Sequence, residues 1–141
     1  MAIKKNIKGR EDEWYNDRLR NMDVKHFKLS EFDCPTDVGS GENMCLSFLS
    51  KLDDARELAG VPFKINSGYR CEKHPLSKKN PTSSHIKGIA ADIRFIDSKN
   101  LALIMGGLGG AGFERFGIDF KNKFIHTDCD QDKTNPCIWG Y

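Results

Sequence analysis

The sequence predicts a single domain that mixes helices with strands, and three observations lead there. The chain has 141 residues, a length that suits one domain and buries roughly two thirds of the surface its unfolded form exposes. One stretch, from about Met44 to Ala59, sets Cys45, Phe48, Leu49, Leu52 and Ala59 close to one helical face. Two later runs, "FERFGIDF" and "FIHTDCD", alternate apolar and polar residues on either side of "KNK", which is the pattern of a β-hairpin.

The elements follow in chain order. Residues 1–24 are highly charged, with scattered Trp14, Tyr15, Leu19 and Met22. They read as an N-terminal extension with a short helix over "REDEWYNDRLRNM", and residues 25–141 as the domain. After "HFKLSEFDCP" and the turn-rich "TDVGSGEN", the first long helix stops at Gly60, with Pro62 just beyond. "PFKINSGYR" reads as a strand feeding a turn and "CEKHPLSKKNPTSS" as a polar loop. "IAADIRFI" has the small and branched residues of a buried strand, and Ser98 is placed to cap a second helix over "KNLALIMGG". The glycine-rich "GGLGGAG" follows a helix and precedes a strand, the reverse of a phosphate-binding loop, so it reads as a flexible connection. "QDKTNPCIWGY" reads as a closing loop and short strand.

Composition excludes several classes. Lys and Arg total 22 against 20 Asp and Glu, a formal net charge of +2, too balanced to make nucleic acid or a membrane surface the main partner. The N-terminal residues contain no apolar core of signal-peptide length and no later segment approaches a membrane span, so synthesis as a soluble cytoplasmic product is expected. Nothing suggests an extended dimer interface, and a monomer is expected. Five cysteines (Cys34, Cys45, Cys71, Cys129, Cys137) form an odd set with no Cys-x-x-Cys spacing, and read as reduced thiols packed as small hydrophobes.

The chemistry concentrates in "SSHIKGIAADI", where His85 and Asp92 lie seven positions apart around Gly88. Ligand atoms bound to one zinc at about 2.0–2.2 Å stand within roughly 3–3.5 Å of each other. A helix would separate the two residues by about 10.5 Å in rise, and a continuous strand by about 23 Å. Convergence therefore requires His85 on a loop that turns back near Gly88 onto a strand carrying Asp92. Asp92 among Ile89, Ala90, Ala91, Ile93 and Phe95 is costly unless paired, exposed or bound to a cation. The alternative is a loop histidine and a strand aspartate, both facing solvent. In "FIHTD", the period of two puts Phe124, His126 and Asp128 on one face. His126 can then be a third ligand, leaving one position open for water, as in catalytic rather than structural zinc sites. Asp128 is placed to orient a ligand or that water.

Taken together, "SGYR", "SSHIKGIAAD" and "FIHTD" resemble the zinc D-Ala-D-Ala carboxypeptidase family and its phage-endolysin relatives, part of the lysostaphin, D-Ala-D-Ala metallopeptidase and hedgehog group. The similarity runs from about "FKLSEFDCP" to "IWGY". It implies zinc held by His85, Asp92 and His126 on a small α+β fold, an antiparallel sheet with flanking helices. Arg70 matches an arginine that contacts substrate, where it can bind a peptide carboxylate or a developing oxyanion, and Ser83 matches a substrate-contacting serine. A surface salt bridge and a turn hydroxyl are the alternatives for these two.

Many relatives carry an acidic residue three before the final histidine, where this chain has Lys123. Asp128 stands first among candidates for the catalytic base and Asp119 second. A two-residue Asn122–Lys123 turn would set Asp119 opposite His126; a three-residue "KNK" loop would set Ile118 there instead. His74 reads as a solvent-exposed or rim residue and His26 as lacking a partner, while Trp139 and Tyr141 either line a cleft or pack at the chain end.

The resemblance implies a zinc-dependent peptidase that cuts an amide bond in the stem peptides or cross-links of bacterial peptidoglycan. With no signal peptide, the expected setting is a phage lysis enzyme made in the host cytoplasm and released to the wall. The rivals are a non-catalytic zinc-binding wall or partner module, which Lys123 favours, and a cytoplasmic peptidase acting on free D-amino-acid peptides.

Overall fold

The computed structural model describes residues 24–141; the expected helix over "REDEWYNDRLRNM" lies outside them. Two 3-10 turns, Leu29–Phe32 and Ser40–Asn43, lead into α1 (Leu46–Ala59). Then come β1 (Lys64–Ser67), α2 (Pro75–Lys79), β2 (Ala90–Arg94), α3 (Ser98–Gly110), β3 (Arg115–Asp119), β4 (Phe124–Asp128) and β5 (Cys137–Gly140). This is an α+β fold whose sheet runs in the order β1-β2-β4-β3-β5. Three pairings are antiparallel as expected, but β5 joins β3 in parallel, so the sheet is mixed.

One face of the sheet is apolar and carries α1 and α3. Ala91 and Ile93 from β2 and Ile125 from β4 are fully buried there with Phe48, Leu49, Leu52, Ile104 and Leu108. α1 ends where Gly60 takes a left-handed φ of 70°. Val24, assigned by sequence to the extension, is buried in the same core. The chain entering it is tied down by Asp53, whose carboxylate accepts the backbone N–H of Lys25 at 3.0 Å and of His26 at 2.8 Å.

Three local expectations are corrected. α3 is capped by Asp97, which accepts the Asn100 N–H at 2.8 Å, and not by Ser98. The glycine-rich run is no flexible connector, because α3 continues through it to Gly110. Gly107 faces α1 so closely that a Cβ there would stand 2.3 Å from the Ala55 carbonyl oxygen, and this close approach outweighs the low helix propensity of glycine. The polar loop after β1 contains the short helix α2, capped by the His74 ring, whose Nδ1 accepts the Leu76 N–H at 3.1 Å. Among the described residues, no helix is long and apolar enough to cross a membrane.

Candidate metal centre

The opposite face of the sheet carries the polar cluster, and strand register builds it. Asp92 on β2 lies directly across from His126 on β4, two residues whose separation in sequence hides their adjacency. Gly117 flanks His126 on the other side, Trp139 pairs with Gly117, and Ser67 pairs with Asp92. Ser67, Asp92, His126, Gly117 and Trp139 thus form one row across all five strands. Gly117 is required in that row because a Cβ would lie 2.5 Å from the Trp139 ring.

His85 reaches the row from the loop before β2. Gly88, at φ 73°, donates its N–H to the His85 carbonyl at 3.2 Å and turns the chain back; a side chain there would also meet the Asn43 carbonyl at 2.4 Å. His85 Nδ1 donates to the Gly68 carbonyl at 2.8 Å, which leaves Nε2 as the free donor atom. That atom stands 3.3 Å from Asp92 Oδ1, and His126 Nδ1 stands 2.9 Å from the same oxygen. The donor atoms of His85, Asp92 and His126 all lie within 4.8 Å of one another.

Asp128 holds the far side of His126. Its Oδ2 accepts His126 Nε2 at 2.7 Å, and its Oδ1 accepts Arg115 Nε at 2.7 Å and the Asp130 N–H at 3.0 Å. A proton held on Nε2 by this carboxylate leaves the Nδ1 lone pair facing Asp92 and His85, the arrangement by which an outer carboxylate orients a metal-binding imidazole. Asp128 is 2% exposed, and both its oxygens are engaged by protein partners.

The charged groups of the cluster stabilise one another. Burial works against the Asp92 carboxylate, but hydrogen bonds and charge attraction from the His126 and His85 rings, when these are protonated, outweigh it and hold its pKa far below the ordinary carboxylate range. Burial likewise opposes ionised Asp128, yet His126, the Asp130 amide and Arg115 bring it down to about 2. Burial pushes His126 down, and its bonds to Asp128 and Asp92 carry it above its usual value.

The cluster lies in a cleft of about 450 Å³. Arg70 and Ser83 line it, and so do Trp139 and Tyr141. The Arg70 guanidinium reaches the hydroxyls of Ser83 and Ser67, both at the long distance of 3.4 Å. Ser83 is buried and its hydroxyl also accepts the His85 N–H at 3.2 Å. Phe124 forms a further wall, with its ring 5.3 Å from that of Tyr141.

Asp119 is not brought to the cleft. The β3–β4 connection has four residues, Phe120 to Lys123, with Asp119 opposite Phe124 and Gly117 opposite His126, so neither expected register occurs. Asp119 instead closes the turn, accepting the Asn122 backbone N–H at 2.8 Å and its side-chain amide at 2.9 Å; these bonds lower its pKa. Lys123 takes a positive φ of 56° and sends its Nζ to the Ile96 carbonyl. His26, expected to lack a partner, binds Glu57.

Sequence reasoning passed over Arg115. This buried residue pairs with Asp128 at 2.7 Å, lies 4.9 Å over the Trp139 ring and donates to the Thr134 carbonyl. A basic residue in an alternating strand reads as solvent-facing; only the pairing with β4 reveals its partner. Asp130, also missed, is buried among Ser84, Lys87 and Lys133 and braces the loop that carries His85.

Two imidazoles and one carboxylate lining one cleft could hold a single metal ion, and the mixture of nitrogen and oxygen donors suits zinc. A family model described as Peptidase M15 matches residues 25–128. The chain belongs to that family of zinc-dependent metallopeptidases, which includes D-Ala-D-Ala carboxypeptidases. No curated protein and no solved structure matches the chain.

Proposed function

We propose that the protein hydrolyses an amide bond in the peptide stems or cross-links of bacterial peptidoglycan, with zinc held by His85 Nε2, Asp92 Oδ1 and His126 Nδ1. The observation that carries this reading is the convergence of those three atoms at the floor of a cleft that also presents Arg70. Zinc, when bound, supplies the Lewis acidity that polarises a scissile carbonyl and makes a water acidic near neutral pH. The protein's own groups do the rest. Asp128 keeps the proton on His126 Nε2, and Arg115 keeps Asp128 an anion. Arg70, held only weakly by two hydroxyls, is free to take a substrate carboxylate or carbonyl oxygen, and Ser83 sets the position of that guanidinium. Trp139 and Phe124 wall the cleft against solvent.

Of the two roles the sequence offers Asp128, the orienting one is favoured, because both its oxygens accept hydrogen bonds from protein groups. Asp119 does not serve as the base, because its carboxylate is occupied in the β3–β4 turn. The biological setting that fits is a phage lysis enzyme, monomeric, made in the host cytoplasm and acting at the wall after release.

A second reading, a non-catalytic zinc-dependent wall-binding module, draws on one observation. Among the described residues, the side-chain carboxylates lining the cleft are Asp92 and Asp128, so no uncommitted acidic side chain stands beside the centre. Mass spectrometry of soluble fragments released from purified peptidoglycan separates the readings. The zinc-loaded protein should generate new peptide termini that vanish with a chelator and in Asp92→Ala. Protein that carries one zinc and attaches to the wall without releasing fragments would establish the binding module instead.

A further inference from the structure

We infer that Cys34 and Cys71 form an oxidisable dithiol, a modification site that closes to a disulfide and ties the loop carrying Arg70 to the N-terminal segment of the domain. The two sulfurs are 3.2 Å apart although the residues are 37 positions apart in the chain. Both are buried, Cys34 at 1% exposure and Cys71 at 9%. The Thr36 hydroxyl touches both, 3.2 Å from Cys34 Sγ and 3.0 Å from Cys71 Sγ. Among the described residues, this is the pair of cysteines joined by a hydrogen bond, while Cys45 and Cys129 influence each other only electrostatically.

A disulfide requires a separation of about 2.05 Å, so the sulfurs must approach by about 1 Å. The backbone on either side is already fixed. Cys34 N–H donates to Ser40 Oγ at 2.8 Å, the Cys71 carbonyl accepts Ser77 Oγ at 2.7 Å, and Tyr69 N–H donates to the Phe32 carbonyl at 2.8 Å. Closure therefore joins two segments held side by side. Burial disfavours a Cys34 thiolate, but the hydrogen bonds from Thr36 and Cys71 outweigh it and lower its pKa, which suits Cys34 to the resolving step.

The oxidant is a small-molecule disulfide. Cys71, the more exposed of the two, loses its proton and attacks one sulfur of the oxidant, forming a mixed disulfide and expelling one thiolate. Cys34, deprotonated in turn, attacks the Cys71 sulfur, forms the Cys34–Cys71 bond and expels the second thiolate. Two protein thiols are oxidised, one small disulfide is reduced to two thiols, and the two protons pass to solvent or to the departing thiolates. The proposal is independent of the peptidase reading.

The test uses the full chain, reduced and then equilibrated with oxidised glutathione, followed by peptide mapping without reductant and by thermal melting. The expected result is one cross-linked peptide containing Cys34 and Cys71, with a melting temperature raised on the order of 10 °C by closing this loop and restored by reductant. A triple variant, Cys45→Ser/Cys129→Ser/Cys137→Ser, should keep both signals, whereas Cys34→Ser and Cys71→Ser should lose the cross-link. Glutathione adducts without an internal bond, a bond through any other cysteine, or unmodified thiols at equilibrium would each overturn the inference. Mapping of the natural chain decides the matter even where a serine variant fails to fold.

Discussion

Asp128→Asn tests the orienting role most sharply, because it removes a charge with almost no change in shape. The carboxylate now accepts from His126 Nε2 and Arg115 Nε, each at 2.7 Å, and from the Asp130 N–H at 3.0 Å. The amide of asparagine has one accepting oxygen. If that oxygen stays with Arg115 and Asp130, the NH2 group faces His126 Nε2, and the ring proton must move to Nδ1, the atom needed by the metal. If the amide flips, the NH2 group faces the buried guanidinium. Loss of an outer carboxylate of this kind costs 10- to 100-fold in metal affinity, equivalent to about 1.4–2.8 kcal/mol. Breaking the Arg115 pair, with side chains 9% and 1% exposed, costs on the order of 3 kcal/mol of folding stability. Zinc affinity is read by competition with a chromophoric chelator, and the tautomer of His126 by ring 15N chemical shifts. Unchanged affinity and an unchanged tautomer, with turnover lost, would refute this reasoning and return Asp128 to the role of proton carrier.

Gly117→Val should push Trp139 off β3, since even a Cβ would stand 2.5 Å from its ring; the expected cost is about 1–3 kcal/mol in denaturant melts, with Trp fluorescence shifted as the indole leaves His126. Gly107→Ala should destabilise by a similar ~1–3 kcal/mol, although alanine favours helix, because its methyl group would meet the Ala55 carbonyl at 2.3 Å. Asp130 gives a pH signature. Burial opposes its charge, but Ser84 and Lys87 outweigh that and depress the folded pKa. Its stabilisation is therefore complete above the unfolded value of about 3.9 and is lost as pH falls through the lower folded value. In acid titrations of folding, Asp130→Asn should flatten that part of the profile.

Much of the centre is legible in the sequence because each of its parts has a local signature. The alternation in "FIHTD" gives the face of His126, and Gly88 gives the turn that aims His85 at Asp92. What periodicity cannot give is a neighbour. Asp92 and His126 are 34 residues apart in the chain, and only the β2–β4 ladder makes them adjacent. Arg115 escapes notice for the same reason. The β3–β4 register is illegible because the side chain of Asp119, counted as a candidate base, closes a four-residue turn with Asn122. The glycines of α3 mislead because their rank as helix breakers is set in isolation, whereas Gly107 answers to the Ala55 carbonyl on another helix. The parallel docking of β5 likewise depends on a partner that no pattern within "CIWGY" names.

The row Ser67–Asp92–His126–Gly117–Trp139 makes metal capture a readout of assembly. Because side chains alternate across a sheet, slipping β4 by one residue against β2 would move His126 to the apolar face and bring Thr127 opposite Asp92. No partial sheet lacking the β2–β4 ladder can then present all three donors, so tight binding selects one register among the alternatives. A zinc ion bound only by the native pairing stabilises it in proportion to the logarithm of its free concentration. Titrating zinc during refolding would test whether its capture depends on the native β2–β4 register.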